Sequence, residues 1–346
     1  MSLTVLVRRL VRVAGCALAI GMPVLLSAGD GARATFDVRD YGASGRKADN
    51  ARTAIQKAID ACAAAGGGTV YFPPGDYSSG TIHLRSHVRL LVDAGATIFS
   101  IKEKSEFDKE ALIFADGADH ITLEGGGTID GQAEYEWRPD DIEDDFIRPN
   151  KELMLSLGKP INRSFPKPNQ YGKLVLLLRC RDVRIAGLSF VNSPSWTIHP
   201  YACERMVIDG VHIRSSLAEG VWADGIDALA FRQVRNLRLR DVEVAWGEPA
   251  SAAWRSALSL EDVAGLSIDG FSGRQAAGAD QAAAVVLDNV ADAVVRDCRA
   301  PAGTGTFLRI AGTGTRGLVL HDNDLTRARV RWAAGPEVPK GAVRER

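Results

Sequence analysis

Cysteine is scarce, five in 346 residues, and no Cys-x-x-Cys pair occurs. No His/Cys set stands at metal-ligand spacing, which argues against a structural cluster of the finger or ribbon kind. An excess of either charge is missing too. Lys and Arg number 42 against 43 Asp and Glu, for a formal net charge of −1. Without a basic field the chain does not read as a nucleic-acid binder. Past residue 28 there is no second long apolar run, so the body of the chain carries no expected membrane span. A hydrophobic content of 46% is nevertheless enough for a full core.

What is present begins with an N-terminal address. Arg8, Arg9 and Arg12 precede an apolar stretch from Val13 to Ala28, and Ala32-Arg33-Ala34 offers a small-x-small cleavage site. That order is the pattern of a secretory signal peptide; a single N-terminal anchor is the alternative. Residues 1–34 are therefore expected to be removed, leaving a secreted or periplasmic protein with no membrane association. The remaining chain divides into a domain at 35–330, with an excursion at 135–172, and a tail at 331–346.

The domain repeats itself. "CRDVRIAGL" from Cys180 returns as "CERMVIDGV" from Cys203, "VRNLRLRDV" from Val234 and "VAGLSIDGF" from Val263. Further copies are "VADAVVRDC" from Val290 and "TRGLVLHDN" from Thr315, with a weaker one, "ADHITLEGG", from Ala118. Aligned on one strand position, the anchors are Ile185, Ile208, Leu239, Ile268, Val295 and Leu320, spaced 23, 31, 29, 27 and 25 residues. Apolar residues alternate with period two inside each copy, so each is a short half-buried strand closed by Gly or Asp turns. The segments between copies lack the sustained 3.6-residue period of crossover helices. Parallel strands then stack only as a coil, each repeat burying its inward side chains on the last. The fold expected is all-β, a single-stranded right-handed parallel β-helix.

The stacking has consequences at single residues. Five positions before the anchors stand Cys180, Cys203, Val234, Val263, Val290 and Thr315, which would form one inward column. Cys180 and Cys203 would be neighbours in it, either as a disulfide or as two packed thiols. Cys298 would be buried beside Val242 and Phe271. Near the start, Ala54, Ile55, Ala58, Ile59 and Cys62 recur at helical spacing, with Asn50 as N-cap and Gly66-Gly67-Gly68 as the stop. An N-terminal capping helix there would cover the open end of the coil.

"FDVRDYGASGRKADNARTAIQKAIDACAAAGGGTVYFPPGDYSSGTIHLRSHVRLLVDAGATI", "ITLEGGGTIDGQAEYEW" and "GLSFVNSPSWTIHPYACERMVIDGVHI" together resemble the polygalacturonase family, glycoside hydrolase family 28. The resemblance spans roughly residues 36–215. It implies a right-handed parallel β-helix that hydrolyses galacturonan-type polysaccharide with inversion, with no nucleotide or organic cofactor; no metal is expected in the site. An inverting site needs an acid and a base roughly 6.5–9.5 Å apart, with room for water between them. The family places Asn-Thr-Asp on one coil and Asp-Asp on the next, followed by Gly-His-Gly and Arg-x-Lys. Here "ADGID" at 223–227 resembles the first motif and puts Asp224 at the acid, but Trp222 and Ala223 replace Asn and Thr. The Asp-Asp pair expected on the next coil is absent, that coil reading "VEVAWGEPASAAW", and there is no Gly-His-Gly and no Arg-x-Lys.

Asp224 and Glu248 are accordingly the candidate catalytic carboxylates, Glu248 as a displaced acid. Asp227, three residues from Asp224, would face the other side of a continuous strand. Asp209, Asp241, Asp269, Asp297 and Asp322 recur with the repeat and read as turn residues. Trp222, His199 and Arg255 are candidate substrate contacts, with Trp196, Trp246, Trp254, Arg214 and Lys173 as further aromatic or cationic candidates. The expected partner is an acidic, plant-type polysaccharide met by a monomer. A catalytically silent coil that binds acidic glycans, and a uronate lyase on the same scaffold, are the alternatives.

Overall fold

A computed structural model describes residues 34–132, 172–215, 228–247, 255–279 and 281–346. Period-two alternation yields strands of two to seven residues that stack in three long sheets. Each complete coil visits the sheets in turn. Arg181–Ala186 lies in an eleven-stranded sheet, Ser189–Val191 in a six-stranded sheet and Trp196–Tyr201 in a nine-stranded sheet. The next coil then adds Glu204–Asp209 in parallel to Arg181–Ala186. Among the described residues the one α-helix, Arg52–Ala64, lies between the first two parallel strands, Thr35–Asp37 and Gly68–Phe72; from Gly68 onward no α-helix separates the stacked strands, and the chain is a parallel β-helix.

The register of the eleven-stranded sheet is the one the repeat spacing predicts. Ile185 pairs with Ile208, then come Leu239, Ile268, Val295 and Leu320, one per coil. The weaker copy joins below through Leu123. All of these side chains are buried. Burying a Leu or Ile side chain of this kind contributes roughly 1.5–3 kcal/mol, so the column is the main cohesive feature of the sheet. The second column is equally dry: Cys180, Cys203, Val234, Val263, Val290 and Thr315 are all buried. Cys180 and Cys203 are neighbours as expected, and both are free thiols. Cys298 is buried, as are Val242 and Phe271.

Corners set the pitch. Just past the handover from the nine-stranded sheet, at the start of the strand in the eleven-stranded sheet, each coil holds a left-handed residue. In order these are Gly67, His87, His120, Asp182, Arg205, Asn236, Gly265, Asp292 and Gly317, with φ between +53° and +109°. The strand register stacks the described members from His120 to Gly317 directly over one another. Left-handed backbone is the region Gly, Asn and Asp tolerate best; the two His and one Arg are therefore unusual occupants. A second corner does the same with Gly187, Gly210, Asp241, Gly270, Asp297 and Asp322. Asp209 and Asp269 sit one residue before it and accept from Arg240 and Arg296. The repeating acids are turn and ladder chemistry.

The helix forms at Arg52–Ala64, and Ala54, Ile55, Ala58, Ile59 and Cys62 are its buried face. One detail of the expectation is corrected. The N-cap position belongs to Ala51, while Asn50 stands one residue outside and its Oδ1 accepts from Arg52 N at 2.9 Å. Asn50 is held there because it bridges to Ser78 of the first coil. The tail expectation is corrected too. Val330–Ala334 pairs with Thr306–Ala311 and Val343–Glu345 pairs with Arg316–His321, so residues after 330 continue the stacking. Their backbone groups complete the ladders that the preceding coil would otherwise leave open. The proposed leader and most of the 135–172 excursion lie outside the described residues.

Candidate functional site

Insertions concentrate at one corner, where the six-stranded sheet passes to the nine-stranded sheet. Coil after coil, the segments 133–171, 216–227, 248–254 and 273–282 leave from it. This explains the uneven repeat length: the sheets keep register and the corner absorbs the difference. Asp224, Trp222 and Glu248, together with Trp254, fall in these segments and lie outside the described residues. Their flanks are described. Segment 216–227 runs into the strand Leu229–Arg232, and 248–254 runs into Leu258–Glu261. Those two strands are hydrogen-bonded neighbours, with Leu229 opposite Leu258.

His199 is on the nine-stranded sheet, in Trp196–Tyr201, and is only 9% exposed. Its Nδ1 lies 3.1 Å from the Ala230 carbonyl. A carbonyl only accepts, so Nδ1 carries the proton and Nε2 is the acceptor face. Burial, then the cationic Lys173, pull the imidazole down to about 4, so it is neutral at pH 7. The Trp196 ring stacks on it, with centroids 4.7 Å apart and planes 16° from parallel. Lys173, one coil below, sits 5.2 Å from the Trp196 ring centroid and pairs with Glu110 at 2.7 Å. That pairing holds the Glu110 carboxyl below its usual range.

Arg255 is exposed at the end of the next corner segment. With Ser256, Gly278, Ala279, Gln281 and Arg309 it lines an open cavity of about 530 Å³. Arg309 donates to the Gln281 carbonyl. Ala276 and Ala279 join the two halves of the face, because Trp196 and Trp246 both pack against them. Trp246 is further fixed by its indole N–H, which donates to the Arg274 carbonyl at 2.8 Å. The structure thus brings His199, Trp196, Lys173, Trp246 and Arg255 to one face. Trp246 reaches this face from the end of Glu243–Trp246 in the six-stranded sheet, the sheet that also carries Arg214.

Arg309 is the residue that reading the sequence missed. It follows from register alone. The column that begins at His199 runs on through Ala230, Ser259 and Val286 to Arg309. Four coil steps at about 4.8 Å place His199 and Arg309 roughly 19 Å apart along the axis. Two acids on this sheet are paired: Asp116 with Arg179, and Glu261 with Arg232 at 2.9 Å. A face of two guanidiniums, a neutral imidazole and flat indoles suits a polymer of anionic rings, because guanidinium binds carboxylate bidentately and indole covers a sugar face.

The family described as rhamnogalacturonase A/epimerase, pectate lyase-like, matches residues 35–134. A probable polygalacturonase of Vitis vinifera is 25% identical over 210 residues, 54% of this chain and 37% of that one. The fold is a parallel β-helix, and the chain is similar in sequence to polygalacturonases. Mannuronan C5-epimerase AlgE6 of Azotobacter vinelandii is 39% identical over 116 residues, which is 28% of this chain and 13% of the epimerase. The chain therefore spans well under two thirds of either relative. The polygalacturonase structure of Erwinia carotovora superposes over 82% of this chain and 81% of its own length, with TM-score 0.54 and 18% identity. That likeness is one of fold, the right-handed parallel β-helix.

Proposed function

We propose that the chain is an exported glycoside hydrolase that cleaves galacturonan- or pectin-like polysaccharide with inversion. Asp224 and Glu248 act as the acid/base pair, and Trp222, His199 and Arg255 hold the substrate. The observation that carries this reading is a matter of connectivity. The two segments bearing these acids enter adjacent, hydrogen-bonded strands, Leu229–Arg232 and Leu258–Glu261, beside the His199–Trp196 stack and the Arg255–Arg309 cavity. Carboxylates carried on neighbouring coils suit an acid and a base that flank one glycosidic bond. His199, neutral at working pH, offers an acceptor to a sugar hydroxyl and no charge.

The relatives' names suggest the substrate class, and the N-terminal pattern supports export as part of the proposal. The mechanism uses two carboxylates and water. The alternative of a glycan-binding coil without catalysis draws on one observation: no Asp-Asp pair follows the Asp224 motif, and Gly-His-Gly and Arg-x-Lys are absent from the sequence. Incubation with polygalacturonan and rhamnogalacturonan separates the readings. Hydrolysis produces reducing ends without absorbance from unsaturated sugars, and Asp224→Asn and Glu248→Gln each lose 100-fold or more, on the order of what general acid–base catalysis contributes. Retention of full activity in both variants would remove these acids from the mechanism. Binding with no products would leave the silent coil, and unsaturated products would mean a lyase.

A further inference from the structure

Away from the polysaccharide face, at the corner between the nine- and eleven-stranded sheets, three side chains converge. We propose that His87, Asp119 and His120 form a binding site for one divalent transition-metal ion of the zinc type. Each of the three offers one ligand atom, an imidazole nitrogen from each His and a carboxylate oxygen from Asp119, and these atoms all lie within 4.8 Å of one another. His120 Nδ1 stands 3.4 Å from Asp119 Oδ2, and His87 Nε2 3.9 Å from Asp119 Oδ1. Zinc–ligand bonds of about 2.0–2.1 Å set neighbouring donors about 3.4 Å apart in a tetrahedron, so one edge is formed already and small side-chain rotations complete the rest. A water would fill the fourth position.

The fold builds this arrangement from residues 33 apart in sequence. His87 and His120 occupy successive places in the left-handed corner column, at φ +64° and +53°. Equal backbone conformations one coil apart point their side chains the same way. The imidazoles accordingly stack, with centroids 5.0 Å apart and planes 27° from parallel. Two aligned imidazoles in a left-handed corner gain nothing from attraction to each other, and they occupy positions that Gly, Asn, Asp and one Arg fill on other coils. Asp119 is fixed between them: its N–H donates to Ser86 Oγ at 3.1 Å, and its carbonyl accepts from His87 N at 3.0 Å.

An outer layer is present as well. Asp182 follows His120 in the same column, and its Oδ2 lies 3.9 Å from His120 Nε2, the nitrogen facing away from Asp119. Carboxylates in that position orient metal-bound imidazoles and raise their basicity. Asp182 is itself held by the Arg205 guanidinium through two bonds of 2.7 Å. The donor set of two imidazoles and one carboxylate favours zinc, nickel or copper over calcium and magnesium. Bound there, the ion would tie together two coils next to the capped end.

The test uses the full mature chain, stripped with chelator and dialysed, and titrated calorimetrically with zinc chloride. One equivalent is expected to bind, with a rise in Tm. His87→Gln and His120→Gln should each weaken that binding at least tenfold and abolish the Tm rise. His212→Gln, beside Glu243 on another coil, should leave both unchanged. His87 and His120 are 55% and 58% exposed, so these variants are expected to keep the parent circular dichroism and metal-free Tm. Cobalt(II) gives an independent reading, since nitrogen and oxygen donors in a tetrahedron produce visible absorption that the same variants remove. Absence of stoichiometric zinc binding by the parent chain would overturn the site. So would binding or cobalt absorption that survives both His variants.

Discussion

His199 shows how position in the coil sets the chemistry of one side chain. Its folded value of about 4 lies below the ordinary value of about 6.5 because the ring is buried and Lys173 is near. The hydrogen bond to Ala230 opposes the shift without cancelling it. Between those two values the unfolded chain binds the extra proton and the folded chain does not. Stability is therefore fully present above pH 6.5 and declines as pH falls, by up to about 3 kcal/mol at pH 4. His199→Gln should flatten the profile across this window, read by urea denaturation at pH 7, 6, 5 and 4. The carboxyls of Asp182 and Asp209, held down by Arg205 and by Arg240, act in a lower window. Their contribution is lost as pH falls below the usual carboxylate range, so acid unfolding below pH 4 should persist in the variant. An unchanged slope between pH 7 and 4 would show that His199 titrates normally.

At the scale of the element, the helix Arg52–Ala64 illustrates a face read from spacing and an end decided by contact. Its five buried residues are those at helical spacing, because burial of one face is a local consequence of the 3.6-residue turn. Its start is not local. Asn50 is drawn into a bridge with Ser78, and the helix begins one residue later than the side-chain chemistry alone suggests. Ile59→Ala on the covered face should cost about 2–5 kcal/mol by chemical denaturation, the range for truncating a fully buried aliphatic side chain. A cost below 1 kcal/mol would mean that the helix does not seal the coil end. The corner segments are the opposite case. They have no repeat to predict them, and they carry Asp224, Trp222 and Glu248.

For the whole molecule, stacking makes each coil depend on its two neighbours. Leu239 lies between Ile208 and Ile268 in the central column and is almost fully buried. Leu239→Ala should cost about 2–5 kcal/mol, and amide exchange should accelerate first in the strands Glu204–Asp209 and Ala264–Asp269 that flank it. Uniform acceleration along all coils would indicate a single cooperative unit instead. The sequence by itself determined the architecture, the anchor register and the identity of the inward columns, because period-two alternation repeated at coil length has one way to bury its apolar side. It also pointed to His199 and Arg255, through a resembling segment and residue type. Only the tertiary structure decided that Arg309 shares the column of His199 and that Trp196 stacks on that ring. It also decided that residues after 330 keep stacking and that His87 meets His120 across a coil. These are contacts between residues tens of positions apart. They depend on how many residues each corner absorbs, and no local pattern in the chain encodes that number.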